Sequence, residues 1–349
     1  MKALKTTLLA VGVIVLAGVG YAAYTLRPQA EEIPETLPEL DTATLDPMAI
    51  KIPDETLPPL VLADLKGNTV TIVLDNKDSW KSKENRPHYR ALNRWVLPET
   101  SKVFAIADLN GLGLFRGKIS EIMAFMRPEM RHPLYLDFEG VVYETFKMPK
   151  GRSGFIVLGP DGAVLMRHSG KADDATLEQL RGHLHAEEPS HSPVSSFTLA
   201  HLTPATCAGK VCVLAFLSAA VPRGEIPGIE GGFRGDMEEG AEKLKDPNIR
   251  MVDTMIKIDK KIDPDAVIGA VVGETPDLRF DHWTSLSAGE EARAALELPV
   301  DAPGLVVINR DGEVVMREHG LLQFYKLGTL ADHVGVDEIT DGSEAHKDE

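Results

Sequence analysis

The chain has 349 residues, 43% of them hydrophobic, and a formal net charge of −16. That length and apolar content suit two ordinary domains and exclude a wholly disordered chain. The acidic balance excludes a general nucleic-acid binder, and two cysteines are too few for a disulfide-built scaffold.

At the N-terminus, Lys2 and Lys5 precede an uncharged run, Thr6–Leu26. As a helix this run would be about 31 Å long, enough to cross a bilayer. Its most apolar part, Leu8–Ala23, also has the length of a secretory signal core, with Gly20-Tyr21-Ala22 as a cleavage site. Residues 1–26 are therefore expected to be a signal anchor or a removed signal peptide. Either carries the rest of the chain across the membrane, because basic residues precede the run and acidic ones follow it. Residues 27–59, rich in Pro, Glu and Asp, read as an extended stalk.

The first domain is expected over residues 60–185. Thr69–Leu74 reads as a strand. Tyr89, Leu92 and Val96 mark a helix ended by Pro98, and Val103–Ala107 a second strand. Ile119, Ile122, Met123 and Met126 mark a second helix. A segment at Pro133–Val142, a hairpin and a last helix capped by Asp173 or Asp174 complete a β-α-β-α-β-β-α order. Residues 186–195 read as a linker and residues 196–338 as a second domain. In it Val211–Phe216 is a strand, and Phe233, Met237, Ala241 and Leu244 mark a helix. Ile249–Ile258 is expected to hold a strand and Val267–Val272 a short helix. Residues 339–349 form a polar tail.

One segment occurs twice. Phe155–Gly170 and Leu305–Gly320 share Val, Asp, Gly, Val, Met, Arg and Gly at corresponding positions, 150 residues apart. Each copy is an apolar run, an Asp-Gly turn and a second apolar run, which signals a hairpin. Leu177, Leu180 and Leu184 recur as Leu327, Leu330 and Val334, one face of a helix. The charge is uneven: residues 61–185 hold 18 basic and 15 acidic side chains, residues 196–338 hold 14 and 24. The bland reading is two solvated surfaces of different composition; the sharper one is mutual attraction or an acidic partner.

The element order, the Gly209–Phe216 strand (GKVCVLAF) and the Pro303–Gly312 segment (PGLVVINRDG) resemble the thioredoxin-like superfamily. The resemblance implies an α/β fold of two tandem thioredoxin-like domains after an N-terminal hydrophobic helix. It also implies a cis-proline at Pro303 facing the site. In redox-active members a Cys-x-x-Cys follows the first strand. Here that region reads Asp75–Glu84 in the first domain and Ser218–Glu225 in the second, and neither holds a cysteine. Ser153 stands where Pro303 stands in the other copy. No catalytic residue is assigned.

Cys207 and Cys212 would lie about 17 Å apart in an extended strand, so a bridge requires Ala208-Gly209-Lys210 to turn. A structural disulfide, two free thiols and a redox-active pair all remain open. Met123, Met126, Met130 and His132 could bind a soft metal, but their spacing is that of a core stripe. His183, His185 and His191 have no ligand partners in sequence. No metal or cofactor is expected. Lys77, Lys81, Lys83, Arg86, Arg90 and Arg94 cluster with Trp80 and Trp95, as a solvated face or a docking surface. The expectation is a non-catalytic, membrane-tethered extracytoplasmic binding or scaffold protein. It would hold a protein or peptide at Pro303, Arg223, Trp80, Lys83 and Arg86. The alternative is a thiol-disulfide oxidoreductase or redox chaperone working through Cys207 and Cys212.

Overall fold

The computed structural model describes residues 37–41, 45–76, 83–221, 243–274, 280–287, 289–336 and 339. The N-terminal apolar run, Trp80, Arg223, the helix expected on Phe233, Met237 and Ala241, and residues 340–349 of the expected polar tail lie outside them, whereas Ile339, assigned to that tail, is buried in the core of the second domain. The chain divides into two compact units between Pro189 and Ser190.

In unit 1, β1 (Lys51–Ile52) pairs with β2 (Leu60–Val61). The main strands are β3 (Thr69–Asp75), β4 (Ser101–Asp108), β5 (Leu134–Asp137), β6 (Gly154–Leu158) and β7 (Val164–Ser169), in the spatial order β5-β4-β3-β6-β7. The first three are parallel, and β6 and β7 are antiparallel additions. The helices are α1 (Arg86–Arg94), α2 (Arg116–Met126), α3 (Val141–Thr145) and α4 (Asp174–Leu184). β3 is buried along its whole length, as expected of a central strand covered on both faces. Val73, Val103, Phe155 and Val157 face α1 and α4, and Ala105 and Ala107 face α2. Ile72, Leu74, Ile106 and Ile156 face α3.

Residues 37–41 and 45–59 are not the free stalk their composition suggests. Ile50, Ile52 and Leu60 are buried in the core beneath α3, and Leu37, Leu40, Leu45 and Leu57 pack against it. Arg127 pins this strap by donating to both oxygens of Asp54, with side-chain exposures of 8% and 2%. Burial alone would raise the Asp54 carboxyl. The Arg127 bonds and the N–H groups of Thr56 and Leu57 outweigh it and hold the group below the ordinary carboxylate value.

Unit 2 contains β8 (Ser192–Pro193), α5 (Pro204–Cys207), β9 (Val211–Phe216), α6 (Pro247–Asp259), β10 (Val267–Val272), β11 (Thr284–Leu286), α7 (Glu290–Ala295), β12 (Gly304–Ile308), β13 (Glu313–His319) and α8 (Phe324–Val334). The strand order is β11-β10-β9-β12-β13-β8. Two expectations are reversed here: Ile249–Ile258 is helical and Val267–Val272 is a strand. Asp246 caps α6 by accepting from Asn248 and Ile249, and Pro247 sits in the first turn. Met251, Val252, Met255 and Ile258 then fall on one buried face. The β-branched run of β10 pairs in parallel with β9. The expected linker also shortens: Glu187 pairs with Val96 in unit 1, and Ser192–Pro193 pairs with β13 in unit 2.

Candidate functional site

The carboxyl ends of the central strands define one end of each sheet, and the loop entering β6 or β12 crosses it. In unit 1 this end is polar and buried. Asp75, 2% exposed, accepts from Asn85 Nδ2 at 3.0 Å. It also bonds Tyr89, whose hydroxyl titration is pushed up by burial and by this carboxylate. Asn76 Nδ2 donates to the Arg152 carbonyl at 2.9 Å and to the Tyr143 hydroxyl at 3.2 Å. Tyr143 donates to the same carbonyl at 2.9 Å. Arg152 in turn pairs with Glu84, just before α1, at 3.1 Å.

This network encloses Ser153, 1% exposed, whose Oγ has no hydrogen-bond partner. His88 on α1 is fully buried, and neither ring nitrogen has a partner. It meets the Phe155 ring edge-on at 5.7 Å, and His168 stacks on the same ring at 5.2 Å. Burial, reinforced by His168, lowers the His88 imidazole to about 3. Burial also lowers His168, against backbone bonds from Lys171 and Gly170 and the charge of Asp173.

In unit 2, Arg293 of α7 occupies the corresponding place. It is 6% exposed and donates to the carbonyls of Leu217 at 2.9 Å, Pro299 at 2.6 Å, and Ala302. Asn248 Oδ1 accepts from Ser218 N at 2.8 Å and from Ala219 N at 3.3 Å, holding the loop after β9. The 150-residue offset therefore reaches back beyond the hairpin. Tyr143 and Arg293 are equivalent, and both bond the carbonyl just ahead of Ser153 or Pro303. Met148 and Leu298 are equivalent, and each covers the glycine that opens its strand: a Cβ on Gly154 or Gly304 would lie 2.9 Å from them. The side chains changed while the brace between α3 or α7 and the entering loop was kept.

Strand order decides the fold. A central strand flanked by parallel β4 or β10 on one side and an antiparallel hairpin on the other, with helices on both faces, is what the sequence resemblance implies. The fold is thioredoxin-like. No protein-family model matches the chain, and no curated protein matches it. Solved structures do, at low similarity. The pneumococcal exposed lipoprotein thioredoxin (Etrx1) from Streptococcus pneumoniae is 13% identical with a TM-score of 0.32, over 39% of this chain and 98% of that one. A secreted Mycobacterium tuberculosis disulfide oxidoreductase homologous to E. coli DsbE is 14% identical with a TM-score of 0.27, over 40% and 96%. StoA from Bacillus subtilis is 14% identical with a TM-score of 0.29, over 40% and 98%.

Both cysteines of the sequence lie in unit 2. Cys207 and Cys212 are joined in a disulfide, Cα–Cα 5.6 Å, with Gly209 supplying the turn at φ +77°. Both cysteines are fully buried. Cys212 pairs with Ile308, at the far end of β12 from Pro303. Four residue steps along β9 separate it from Phe216, roughly 13 Å.

The other sequence candidates sort as follows. Pro303 is buried, and its preceding peptide is trans, since no cis bond occurs among the described residues. Lys83 lies in the turn before α1 with φ +60°, and Arg86 opens that helix. Trp95 is no surface anchor: it is 2% exposed and donates to Glu188, which Arg94 also grips. Met123 of α2 is buried in the core, and Met126 and Met130 pack half-buried against the same cluster, as a structural stripe does. No cluster of metal-ligating residues occurs among the described residues.

Proposed function

We propose that this chain is a membrane-tethered, extracytoplasmic binding or scaffold protein, built of two tandem thioredoxin-like domains without the redox cysteine pair. The observation that carries the proposal is the place of the sulfurs. The sequence has two cysteines, and both are consumed in a buried disulfide at the end of the sheet remote from the loop-bearing site. A thiolate nucleophile needs exposure and a depressed pKa, and this pair lacks the first. The occupant is a protein or peptide lying in either unit along the loop ahead of its site strand, beside Ser153 ahead of β6 or beside Pro303 ahead of β12. Lys83, in the turn before α1, and Arg86, which opens α1, border the first of these loops.

A second reading takes the disulfide as the reactive group. It is supported by a short bridge whose connecting Ala208 and Gly209 are exposed. Insulin reduction by the purified chain separates the two. The binding reading expects a rate equal to that of reductant alone, unchanged by Cys207→Ala. Turnover that disappears in the Cys207→Ala variant would sink it and establish the second.

A further inference from the structure

The loop from Leu109 to Arg116 follows β4 at the site end of the first sheet. Its tip is Leu114, 98% exposed, beside Phe115, 36% exposed. Leu109 and Leu112 already fill the inner side of this loop, against the core that holds Ile119 and Met123. Leu114 therefore adds nothing to the packing of the unit. A Cβ placed on Gly111, Gly113 or Gly117 would meet no atom within 4 Å, so the tip stands clear of the protein. The cations behind it are committed: Arg116 to Glu139 at 2.9 Å and Lys118 to Glu121 at 2.8 Å. Whatever covers Leu114 and Phe115 is met by apolar surface, not by charge.

The path of the chain says what that is. The Pro38 carbonyl accepts from Arg167 at 2.7 Å and the Glu39 carbonyl from Lys147 at 3.0 Å. The described chain thus enters unit 1 beside the end of α3. Asn110, in the tip loop, packs against Gly140 at the start of α3: a Cβ on Gly140 would lie 2.7 Å from its carboxamide. Entry point and tip flank the same short helix. Because residues 37–41 and 45–59 are folded onto unit 1, only residues 27–36 separate it from the apolar run ending at Leu26. Fully extended, they reach roughly 35 Å.

We propose that Leu114 and Phe115 dip into the membrane interface as a second anchor of unit 1, turning its site end toward the lipid. This rests on the reading that Thr6–Leu26 stays in the bilayer. Two apolar side chains are too little to bind a membrane alone, but a short tether makes their insertion an intramolecular step.

The test uses the full chain reconstituted in phosphatidylcholine liposomes containing doxyl-labelled lipid. Because Cys207 and Cys212 are bonded to each other, Leu114→Cys provides a single thiol for an NBD label. Val300→Cys, at an exposed position of unit 2, is the control. The expected result is a blue shift and about twofold quenching at position 114, insensitive to salt, with none at position 300; adding Phe115→Asp should remove it. If the chain floats with the liposomes and the two labels are quenched alike or not at all, the tip does not insert. If the chain fails to float, the tether reading itself is wrong and the second anchor falls with it.

Discussion

Among the described residues, His88 is a fully buried histidine poised to destabilise the fold in acid. Its imidazole is neutral in the fold, held down to about 3 by burial and by His168, whereas an unfolded histidine titrates near 6.5. The unfolded state therefore binds the proton first. Above pH 6.5 the group costs nothing, and stability falls as pH drops from there toward 3. Between pH 6.5 and 4.5 the loss from His88 alone is about 2–3 kcal/mol. His132, lowered to about 4 by burial and Arg131, adds to it in the same window. Urea midpoints at pH 7.5 and 4.5 should show a smaller gap for His88→Phe than for the parent chain. An unchanged gap would mean that the buried imidazole is not what acid attacks. The braces make a second residue-scale case. Tyr143→Phe leaves the Arg152 carbonyl still bonded by Asn76, so about 1 kcal/mol is expected. Arg293→Met strips three carbonyls of one buried donor and should cost about 2–4 kcal/mol. Equal losses in the two variants would deny that Arg293 carries the larger share.

At the scale of elements, the strap is held by its buried apolar side chains and by one buried ion pair. Asp54→Ala leaves the Arg127 guanidinium uncompensated in a site where its side chain is 8% exposed. The expected cost is about 3–5 kcal/mol, against less than about 1 kcal/mol for removing the half-exposed Arg94 side chain from Glu188. Limited proteolysis reads the difference directly: the Asp54→Ala chain should be cut within residues 37–59 under conditions that spare the parent. The strap also shows what the sequence conceals. Its Pro and acidic content looks unfolded, yet Ile50 and Ile52 alternate as a strand does, and the partner that fixes Asp54 lies far along the chain at Arg127. Central strands were legible because a strand buried on both faces carries a run of apolar, β-branched residues, as in Thr69–Leu74 and Val211–Phe216. The same rule was misapplied to α6, where the Asp246-Pro247 cap outranks the apolar residues that follow it. Part of the site was legible from the 150-residue repeat. The Tyr143–Arg293 equivalence was not, because a phenol and a guanidinium share no chemistry except a donor aimed at one carbonyl.

At the scale of the whole molecule, each unit has its own cores, and the sensitive chemistry is divided between them. The histidines held below their ordinary value, His88, His132 and His168, and the Asp54–Arg127 pair all belong to unit 1. The disulfide belongs to unit 2. A six-residue cysteine loop stabilises by about 2 kcal/mol through the unfolded state, which at ordinary denaturant slopes is about 1 M in urea midpoint. Native fluorescence separates the units, since Trp95 is buried in the first and Trp283 in the second. A Trp283→Phe chain reports unit 1; a Trp80→Phe/Trp95→Phe chain reports unit 2. Lowering the pH to 4.5 should move the first transition and leave the disulfide-dependent one nearly in place. Replacing Cys207 and Cys212 by alanine should do the reverse. Buried sulfurs add a kinetic counterpart: reductant should open the bridge only in denaturant concentrations that unfold unit 2. If either perturbation moves both transitions together, the two cores unfold as one cooperative block, and a binding role divided between two autonomous sites loses its physical basis.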